Sequence, residues 1–308
     1  MAKPATNSIT QLSKNVLSKL QLYFESWGHR TNLEKRFHFI VRVGQGSMSK
    51  LWKARDLMTG RTVALKVLDM VQMRRQLERM RRAYGGLVPP SEGEVSVKLR
   101  HENVVHTYDH GLSTNREQFL VMEFIEGVGL NFLIETKAPQ LVGKRIEYLA
   151  QAADGLAYMH ELGYVHRDFC PRNLMVNTEG VVKLIDFGLA IPNTPEFRRP
   201  GNRAGTANYM APELIKREVT DHRVDIFSFG VSAYECLTGR LPWDAPDSTQ
   251  MMVMHMNTPP RDPREVRPDL DAELAQLLLR ALAPSPKKRI ASMKQIAEAL
   301  RSLERRDY

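Results

Sequence analysis

The chain has few cysteines and no long hydrophobic run. Its 308 residues include two cysteines, too few for a disulfide framework or for a zinc site of four thiolates. The apolar runs are only a few residues long, so the sequence predicts no bilayer-spanning helix. The first residues also lack the apolar core of a secretory signal. These absences favour a reducing, cytoplasmic setting.

Positive charge is in modest excess, since 44 Lys and Arg residues against 35 Asp and Glu give a net charge of +9. Such an excess is compatible with nucleic acid, acidic membranes or phosphorylated ligands. The denser basic groups, at residues 74–82, 198–203 and 287–289, are not interleaved with aromatic residues as a base-stacking surface would be. We therefore expect no nucleic-acid partner.

Strand and helix patterns occupy different parts of the chain. Apolar, β-branched stretches predict strands at 37–43, 50–54, 61–68, 104–110 and 119–123. Apolar residues at helical spacing predict helices at 73–84, 91–99, 144–162, 223–238, 271–282 and 291–303. A sheet-rich first third followed by a helix-rich remainder predicts an α+β fold with two segregated lobes.

The N-terminal residues 1–36 form a predicted amphipathic extension. Ser8 and Gln11 have capping-box spacing, and an apolar stripe follows at Ile9, Leu12, Val16, Leu20, Phe24 and Trp27. We expect this helix to pack on the main domain or to dock a partner. Binding to a membrane surface is weakly supported, because the helix has only Lys14 and Lys19 as cations.

The first predicted strand runs into a glycine-containing loop. Gly44 and Gly46 would let backbone amides approach a bound phosphate closely, although a glycine pair after a strand is usually only a hairpin turn. Lys66 ends an apolar strand in which Ala64 and Lys66 share a face. A cation there is costly unless it is paired, and a carboxylate together with a nucleotide phosphate would pair it.

A stronger signal lies at His166-Arg-Asp168-Phe-Cys-Pro-Arg-Asn173, followed 13 residues after Asn173 by Asp186-Phe-Gly. The segment between them reads as a β-hairpin that turns at Glu179-Gly180, which would bring Asn173 and Asp186 side by side. Amide and carboxylate oxygens suit Mg²⁺. Asp168 is placed to accept a proton rather than to bind metal.

These motifs occur in the order found in the eukaryotic-like protein kinases, which the chain resembles over roughly residues 37–304. The resembling segments are the glycine-rich loop, 63–66, 166–173, 186–188 and Ala211-Pro-Glu213. The segments 205–213 and 284–289 resemble bacterial serine/threonine kinases in particular. The resemblance implies a bilobal fold over 37–305, with a β-rich N-lobe at 37–123, a helical C-lobe at 124–305, and ATP in the cleft.

The resemblance also assigns catalytic roles. It implies that Lys66 holds the α- and β-phosphates, that Asn173 and Asp186 bind Mg²⁺, and that Asp168 orients the substrate hydroxyl. The carboxylate partner of Lys66 would be Glu92. Glu94 is a rival, although its capping-box spacing from Ser91 would occupy it at the start of a helix.

Further residues are implied to bind the nucleotide or to support the site. The nucleotide-binding set is Val43, Gly44, Gly46, Leu51, Ala64, Lys66, Met122, Glu123, Ile125 and Met175, with Met122 as the gatekeeper. Asp225 would brace the catalytic loop, which is the segment 166–173, and Glu213 would pair with Arg289.

The chain departs from the family pattern at several positions. Ser49 replaces the third loop glycine, and Phe227 replaces a tryptophan. Cys170 stands where serine/threonine kinases carry a lysine, and Arg172 is expected to supply the missing charge. The Cys170 side chain is read as filler, with a reactive thiol as the alternative.

We expect an active protein kinase that uses ATP and Mg²⁺ to phosphorylate serine or threonine of protein substrates. A pseudokinase acting as a nucleotide-binding scaffold and a small-molecule kinase are the rival readings. The Thr206 hydroxyl can bond to Asp168 and shape a shallow acceptor site, which favours serine or threonine.

In the resembling family, the arginine at the position of Arg167 usually receives a phosphate from the activation segment, which spans residues 186–213 here. The usual acceptor position is Asn202, which cannot be phosphorylated. Glu196 is a candidate built-in substitute for that phosphate, and an acidic substrate or partner is another. We therefore expect basal activity without phosphorylation of this segment, Thr194 included.

Overall fold

A computed structural model of the chain describes residues 30–45, 49–201 and 203–303. Tertiary contacts divide it into two compact units. The first contains the residues up to Arg74 together with Thr107–Phe124, and the second contains Arg75–His106 and the residues from Ile125 onward. The predicted helix at 8–27 lies outside the described residues. No helix within the described ranges is long and apolar enough to cross a membrane.

The first unit is built on a five-stranded antiparallel sheet in the order β1-β2-β3-β5-β4. Its strands are β1 (Phe37–Gln45), β2 (Ser49–Asp56), β3 (Thr62–Leu68), β4 (Thr107–Leu112) and β5 (Gln118–Glu123), preceded by the short helix α1 (Leu33–Arg36). The five predicted strands are confirmed. The fourth begins at Thr107 rather than at Val104, because Val104 forms a parallel bridge with Leu184 instead.

Helix α2 (Met70–Ala83) follows β3 and ends before two glycines, as predicted. Gly85 and Gly86 have φ values of +61° and +99°, a left-handed backbone that glycine adopts without a Cβ penalty. Met80, in the last turn of this helix, and Tyr84, just after it, are buried in the core of the second unit. Because of this burial, Arg75–His106 belongs to the second unit, although it lies within the predicted N-lobe range of 37–123.

The second unit is mostly helical. Its helices are α3 (Glu92–Ser96), α4 (Leu130–Glu135), α5 (Arg145–Glu161), α6 (Pro212–Ile215), α7 (Arg223–Thr238), α8 (Ser248–Asn257), α9 (Pro263–Val266), α10 (Ala272–Ala281) and α11 (Met293–Leu303). Helix α7 is buried along almost its whole length, so it forms the centre around which the other elements of this unit are arranged.

Two small sheets accompany these helices. Strands β6 (Gly127–Gly129), β8 (Leu174–Asn177) and β9 (Val182–Leu184) form one, and β7 (Tyr164–Val165) pairs with β10 (Ile191–Pro192) in the other. The predicted hairpin at Glu179-Gly180 is the β8–β9 turn, where Gly180 has φ +81°. Helix α8 was not predicted from the sequence, because it is rich in methionine and has no clear amphipathic periodicity, although Asp247 caps its first turn.

Candidate active site

Strand β3 places Ala64 and Lys66 on one face of the first unit's sheet. Directly paired residues of antiparallel strands share a face. Ala64 pairs with Met122 of β5, and Lys66 pairs with Leu51 of β2. The intervening residues of β3 point to the other face and form the core of this unit. Four of the predicted nucleotide-binding residues therefore lie on a single surface of the sheet.

The remaining predicted nucleotide-binding residues are distributed over both units. Val43, near the end of β1, is 46% exposed, and Gly44 of the same strand pairs with Leu51. Glu123 is the last residue of β5. Gly46 lies outside the described residues. The second unit contains Ile125 and Met175, which belongs to β8 and pairs with Gly129.

A buried carboxylate on helix α7 holds the start of the catalytic loop. Asp225 is fully buried and accepts hydrogen bonds from the backbone N–H groups of His166 and Arg167 at 2.8 and 2.7 Å. Burial alone would raise the pKa of Asp225, but the hydrogen bond and charge of His160 outweigh it and leave this pKa below its usual value. The predicted role of Asp225 as a brace for the loop is confirmed.

The Asp168 carboxylate is oriented by residues on both sides of it. Its Oδ1 accepts hydrogen bonds from the backbone N–H and the hydroxyl of Thr206, both at 2.7 Å. Its Oδ2 accepts a longer bond of 3.3 Å from Asn173 Nδ2, which also donates to the Asp168 carbonyl at 2.7 Å. The predicted bond between the Thr206 hydroxyl and Asp168 is confirmed.

Thr206 can approach Asp168 because the residue before it has no side chain. Gly205 has φ +131°, and a Cβ built on it would lie 2.6 Å from the Arg167 carbonyl oxygen. Any other residue would have to push the two segments apart at that point. The Gly-Thr pair therefore brings the activation segment against the catalytic loop.

The β8–β9 hairpin brings the predicted metal ligands to the same end. The Ile185 N–H donates to the Asn173 carbonyl at 3.0 Å, closing the open end of the hairpin beside Asp186. Because Asn173 Nδ2 donates to Asp168, the amide oxygen Oδ1 is directed away from that residue. Asp186 accepts the Gly188 N–H at 3.0 Å. One amide oxygen and one carboxylate fit Mg²⁺, which commonly takes few protein ligands and completes its shell with phosphate and water.

Glu92 and Glu94 have different surroundings at the start of α3. Glu94 forms the predicted capping box, since its Oε2 accepts the Ser91 N–H at 2.7 Å while Ser91 Oγ accepts the Glu94 N–H at 3.2 Å. The Glu92 carboxylate instead lies beside Gly188, where a Cβ would be 3.5 Å from Glu92 Oε2 and 3.3 Å from Asp186 Oδ1. This geometry favours Glu92 as the functional carboxylate.

Arg172 and Cys170 lie on the same loop but in different environments. Arg172 is exposed, and its Nη2 donates to the Thr206 hydroxyl at 3.4 Å. Cys170 is 1% exposed, and burial raises the pKa of its thiol. A buried, protonated thiol is a poor nucleophile. The structure therefore favours the filler interpretation of Cys170 over the reactive thiol.

The predicted pair of Glu213 and Arg289 is confirmed, with two buried hydrogen bonds of 2.6 and 2.7 Å. Two other side-chain contacts were not predicted. The Tyr209 hydroxyl donates to Glu235 Oε2 at 2.6 Å, and the Tyr84 hydroxyl accepts from Arg167 Nη1 at 2.7 Å. No local pattern indicates either contact, because the partners are far apart in the chain and tyrosine at helical spacing indicates only a core position.

The α+β architecture, with the catalytic loop, the Asp-Phe-Gly segment and the Ala-Pro-Glu helix in this arrangement, defines a class of phosphoryl-transfer proteins. The sequence model of the protein kinase domain matches residues 37–300. The chain therefore belongs to the protein kinase family, and its fold is the bilobal kinase fold, with a β-sheet N-terminal region and a helical C-terminal region.

Several bacterial proteins are similar to this chain. The serine/threonine-protein kinase PknB of Mycobacterium tuberculosis is 32% identical over 84% of this chain and 41% of its own length. The serine/threonine-protein kinases pkn3 and Pkn1 of Myxococcus xanthus are 30% and 34% identical, over 85% and 86% of this chain and 49% and 38% of their own lengths. The chain thus spans less than half of the length of these curated relatives.

Proposed function

We propose that this chain is an active protein kinase that transfers the γ-phosphoryl group of ATP to serine or threonine hydroxyls of protein substrates. The observation that carries this proposal is the Asp168 carboxylate, which accepts two 2.7 Å hydrogen bonds from Thr206 beside the amide of Asn173. A carboxylate oriented in this way, next to a pair of magnesium-type ligands, suits phosphoryl transfer, in which positioning and charge neutralisation supply most of the catalysis.

Asp168 is the residue that orients the attacking hydroxyl and accepts its proton. Its backbone N–H donates to His166 Nδ1 at 3.2 Å, and the loop before it is braced by Asp225. Both carboxylate oxygens are contacted from the protein side, so the carboxylate is held in one rotamer. A fixed acceptor avoids the reorganisation that a mobile side chain would need in the transition state.

The phosphate groups of ATP are assigned to residues of both units. Asn173 and Asp186 would hold Mg²⁺, which supplies positive charge against the β- and γ-phosphates. The family resemblance assigns Lys66 to the α- and β-phosphates and Glu92 as its carboxylate partner. Arg172 would contribute the charge that Cys170 cannot, because a guanidinium can fork onto phosphate oxygens.

Adenine would bind the sheet surface formed by Leu51, Ala64 and Met122. Val43 and Met175 would be further contacts, and the backbone groups of Glu123 and Ile125 would be hydrogen-bond partners.

The Thr206 contact supports serine or threonine as the acceptor. The Thr206 hydroxyl donates to Asp168 Oδ1. The acceptor site beside this carboxylate is therefore bounded by a small side chain of the activation segment. A short acceptor side chain reaches the carboxylate in such a shallow site. The printed names of the similar bacterial proteins, which are serine/threonine-protein kinases, agree with this preference.

We also propose protein substrates and a cytoplasmic site of action. The two cysteines, Cys170 and Cys236, are both free and buried, as suits a reducing compartment that supplies ATP.

The test is phosphoryl transfer from labelled ATP to a generic protein substrate with Mg²⁺, followed by phosphoamino-acid analysis. Asp168→Asn should retain ATP binding but lower turnover about a thousandfold or more, and Asp186→Ala should lower both turnover and Mg-nucleotide binding. Near wild-type turnover in Asp168→Asn would remove this residue from the mechanism. Retained ATP binding without transfer would indicate a scaffold, label only on small metabolites a small-molecule kinase, and dominant phosphotyrosine a different acceptor.

A further inference from the structure

Arg167, the residue before the catalytic aspartate, is a buried cation with few partners. It is 3% exposed and has a left-handed backbone with φ +69°. Its guanidinium donates from Nη1 to the Tyr84 hydroxyl at 2.7 Å. Its Nε and Nη2 atoms are buried and have no hydrogen-bond partner among the residues that the structure describes. A buried guanidinium is costly to leave unpaired, so the Tyr84 hydroxyl is an important contact for this side chain.

Tyr84 is held in place from two sides. It is 1% exposed and belongs, with Met80, to the buried core that includes Val165 of β7 and residues of α7. Its ring packs edge-on against Phe197 of the activation segment, with the ring centroids 5.0 Å apart. The phenol hydroxyl is therefore fixed at Arg167 by packing that does not depend on the hydrogen bond itself.

The residue after Tyr84 also lies close to the activation segment. A Cβ built on Gly85 would be 3.0 Å from Arg199 Nη1. The residues just after α2 thus pack against Phe197 and lie close to Arg199, while the Tyr84 hydroxyl reaches the catalytic loop. One short stretch of chain connects the loop that carries Asp168 to the segment that carries Thr206.

Glu196 of the activation segment is not the described partner of Arg167. The Glu196 side chain is exposed, and its pKa is lowered by a hydrogen bond from Thr194 and by the nearby Arg199. Because the Arg167 guanidinium is buried and donates to Tyr84, the suggestion that the exposed Glu196 side chain substitutes for a phosphate there is wrong. The described partner of this guanidinium is a neutral hydroxyl from outside the activation segment.

We propose that Tyr84 is a positioning residue, whose hydroxyl holds Arg167 so that the catalytic loop and the activation segment keep their working arrangement without phosphorylation of that segment. The inference rests on the proposed kinase function and concerns the regulation of the same site. Arg167 and Asp168 are adjacent, and a Cβ built on Gly205, next to Thr206, would lie 2.6 Å from the Arg167 carbonyl oxygen. A shift of Arg167 therefore moves both the Asp168 carboxylate and its Thr206 partner.

The central variant is Tyr84→Phe in the full chain, which retains the ring and removes the hydroxyl. We expect kcat to fall tenfold or more while KM for ATP stays within twofold, because Tyr84 does not touch the proposed nucleotide residues. Tyr158→Phe is the matched control, since its hydroxyl accepts the Arg100 N–H at 2.9 Å and contacts no cation of the catalytic loop. It should keep kcat within twofold of wild type.

A double-mutant cycle with Arg167→Met tests whether Tyr84 acts through Arg167. If it does, Tyr84→Phe has no further effect on kcat or on Tm in the Arg167→Met background. An equal loss in both backgrounds, or wild-type kcat in Tyr84→Phe, would overturn the proposal. Phosphatase-treated wild type and Thr194→Ala should both keep most of the wild-type rate, and a tenfold loss in either would show that a phosphate is required instead.

The two proposals fail in different ways. If the wild-type protein transfers no phosphate from Mg-ATP, the proposed function fails. The cycle in Tm then still decides whether the Tyr84 hydroxyl and Arg167 are coupled: additive shifts refute the coupling, and non-additive shifts support it. If the wild type is active and Tyr84→Phe matches it, the positioning role alone is refuted.

Discussion

The sheet of the first unit and the catalytic loop of the second place their chemical groups by different means. In the sheet, strand alternation alone sends Ala64 and Lys66 to one face and their neighbours to the core. In the loop, Asp168 is oriented by Asp225, 57 positions further along the chain, which braces the two preceding residues, and by Thr206, 38 positions away. Local periodicity therefore suffices for the first region, whereas the second depends on long-range hydrogen bonds.

This difference has an energetic consequence. A buried sheet residue contributes through apolar packing, which tolerates small changes in shape. The loop is held by buried polar groups, and each of these costs free energy when its partner is removed. Substitutions in the loop should therefore affect stability and turnover together, and substitutions on the sheet surface should affect nucleotide binding.

The largest effect on stability is expected for Asp225→Ala, which tests the dependence of the loop on a remote brace. The change leaves the backbone N–H groups of His166 and Arg167 buried without their acceptor, so we expect a loss of about 3–5 kcal/mol in the free energy of unfolding and at least a tenfold lower kcat. Asp221→Ala is the control, because this partly exposed carboxylate at the start of the same helix pairs with Arg223 at 3.5 Å. Its cost should stay within about 1 kcal/mol. Equal losses from both variants, measured by denaturant unfolding, would contradict the brace.

A buried imidazole makes the second unit sensitive to acid. His255 is fully buried, its Nδ1 lies 2.8 Å from the Met210 carbonyl, and burial lowers its pKa to about 4. Above the ordinary histidine pKa near 6.5, the folded and unfolded states are both neutral and the full stability is present. As the pH falls from about 6.5 towards 4, the unfolded state binds the proton first, so stability is lost.

The loss should be about 2–3 kcal/mol between pH 6.5 and 4. His255→Gln should remove this part of the pH dependence while it keeps a side-chain donor near Met210. Unfolding curves at successive pH values measure the effect. A wild-type slope that survives unchanged in His255→Gln would assign the acid sensitivity to another group.

Substitutions at neighbouring residues of β3 should change different properties of the protein. Ala64→Leu enlarges the proposed adenine surface, so we expect KM for ATP to rise about tenfold, which corresponds to about 1.4 kcal/mol, with kcat at saturating ATP within threefold. Val63→Ala, on the core face, should leave KM for ATP unchanged and cost about 1–2 kcal/mol of stability. Similar KM values for Ala64→Leu and wild type would place the adenine elsewhere.

The smallest effect is expected for Cys170→Ala. Although Cys170 lies two residues after the proposed base, it is buried and its thiol pKa is raised, so we expect the thiol to take no part in phosphoryl transfer. We expect kcat within threefold of wild type and a stability loss of about 1 kcal/mol. Iodoacetamide should leave the native enzyme active, and rapid inactivation that is absent from Cys170→Ala would show that the thiol is reachable.

Much of the fold and part of the site could be predicted from the sequence. The strands of the first sheet, the α5, α7, α10 and α11 helices, the Ser91–Glu94 capping box and the Thr206–Asp168 contact follow from periodicity, from cap spacing and from motif order. The α8 helix was missed, because its run of methionines has no polar face to mark a period. The predicted role of Glu196 was wrong, because the charge of a side chain and its position in the sequence do not reveal whether it reaches a buried cation.

The sequence by itself determined the family, the shared face of Ala64 and Lys66, and the residues available for phosphoryl transfer, because these depend on residue type and local spacing. Only the tertiary structure decided that the segment after α2 packs into the second unit and that the Tyr84 hydroxyl meets Arg167. The physical reason is that a buried polar contact between residues 83 positions apart is set by how several elements pack together. No local pattern of hydrophobic or charged residues encodes that distance.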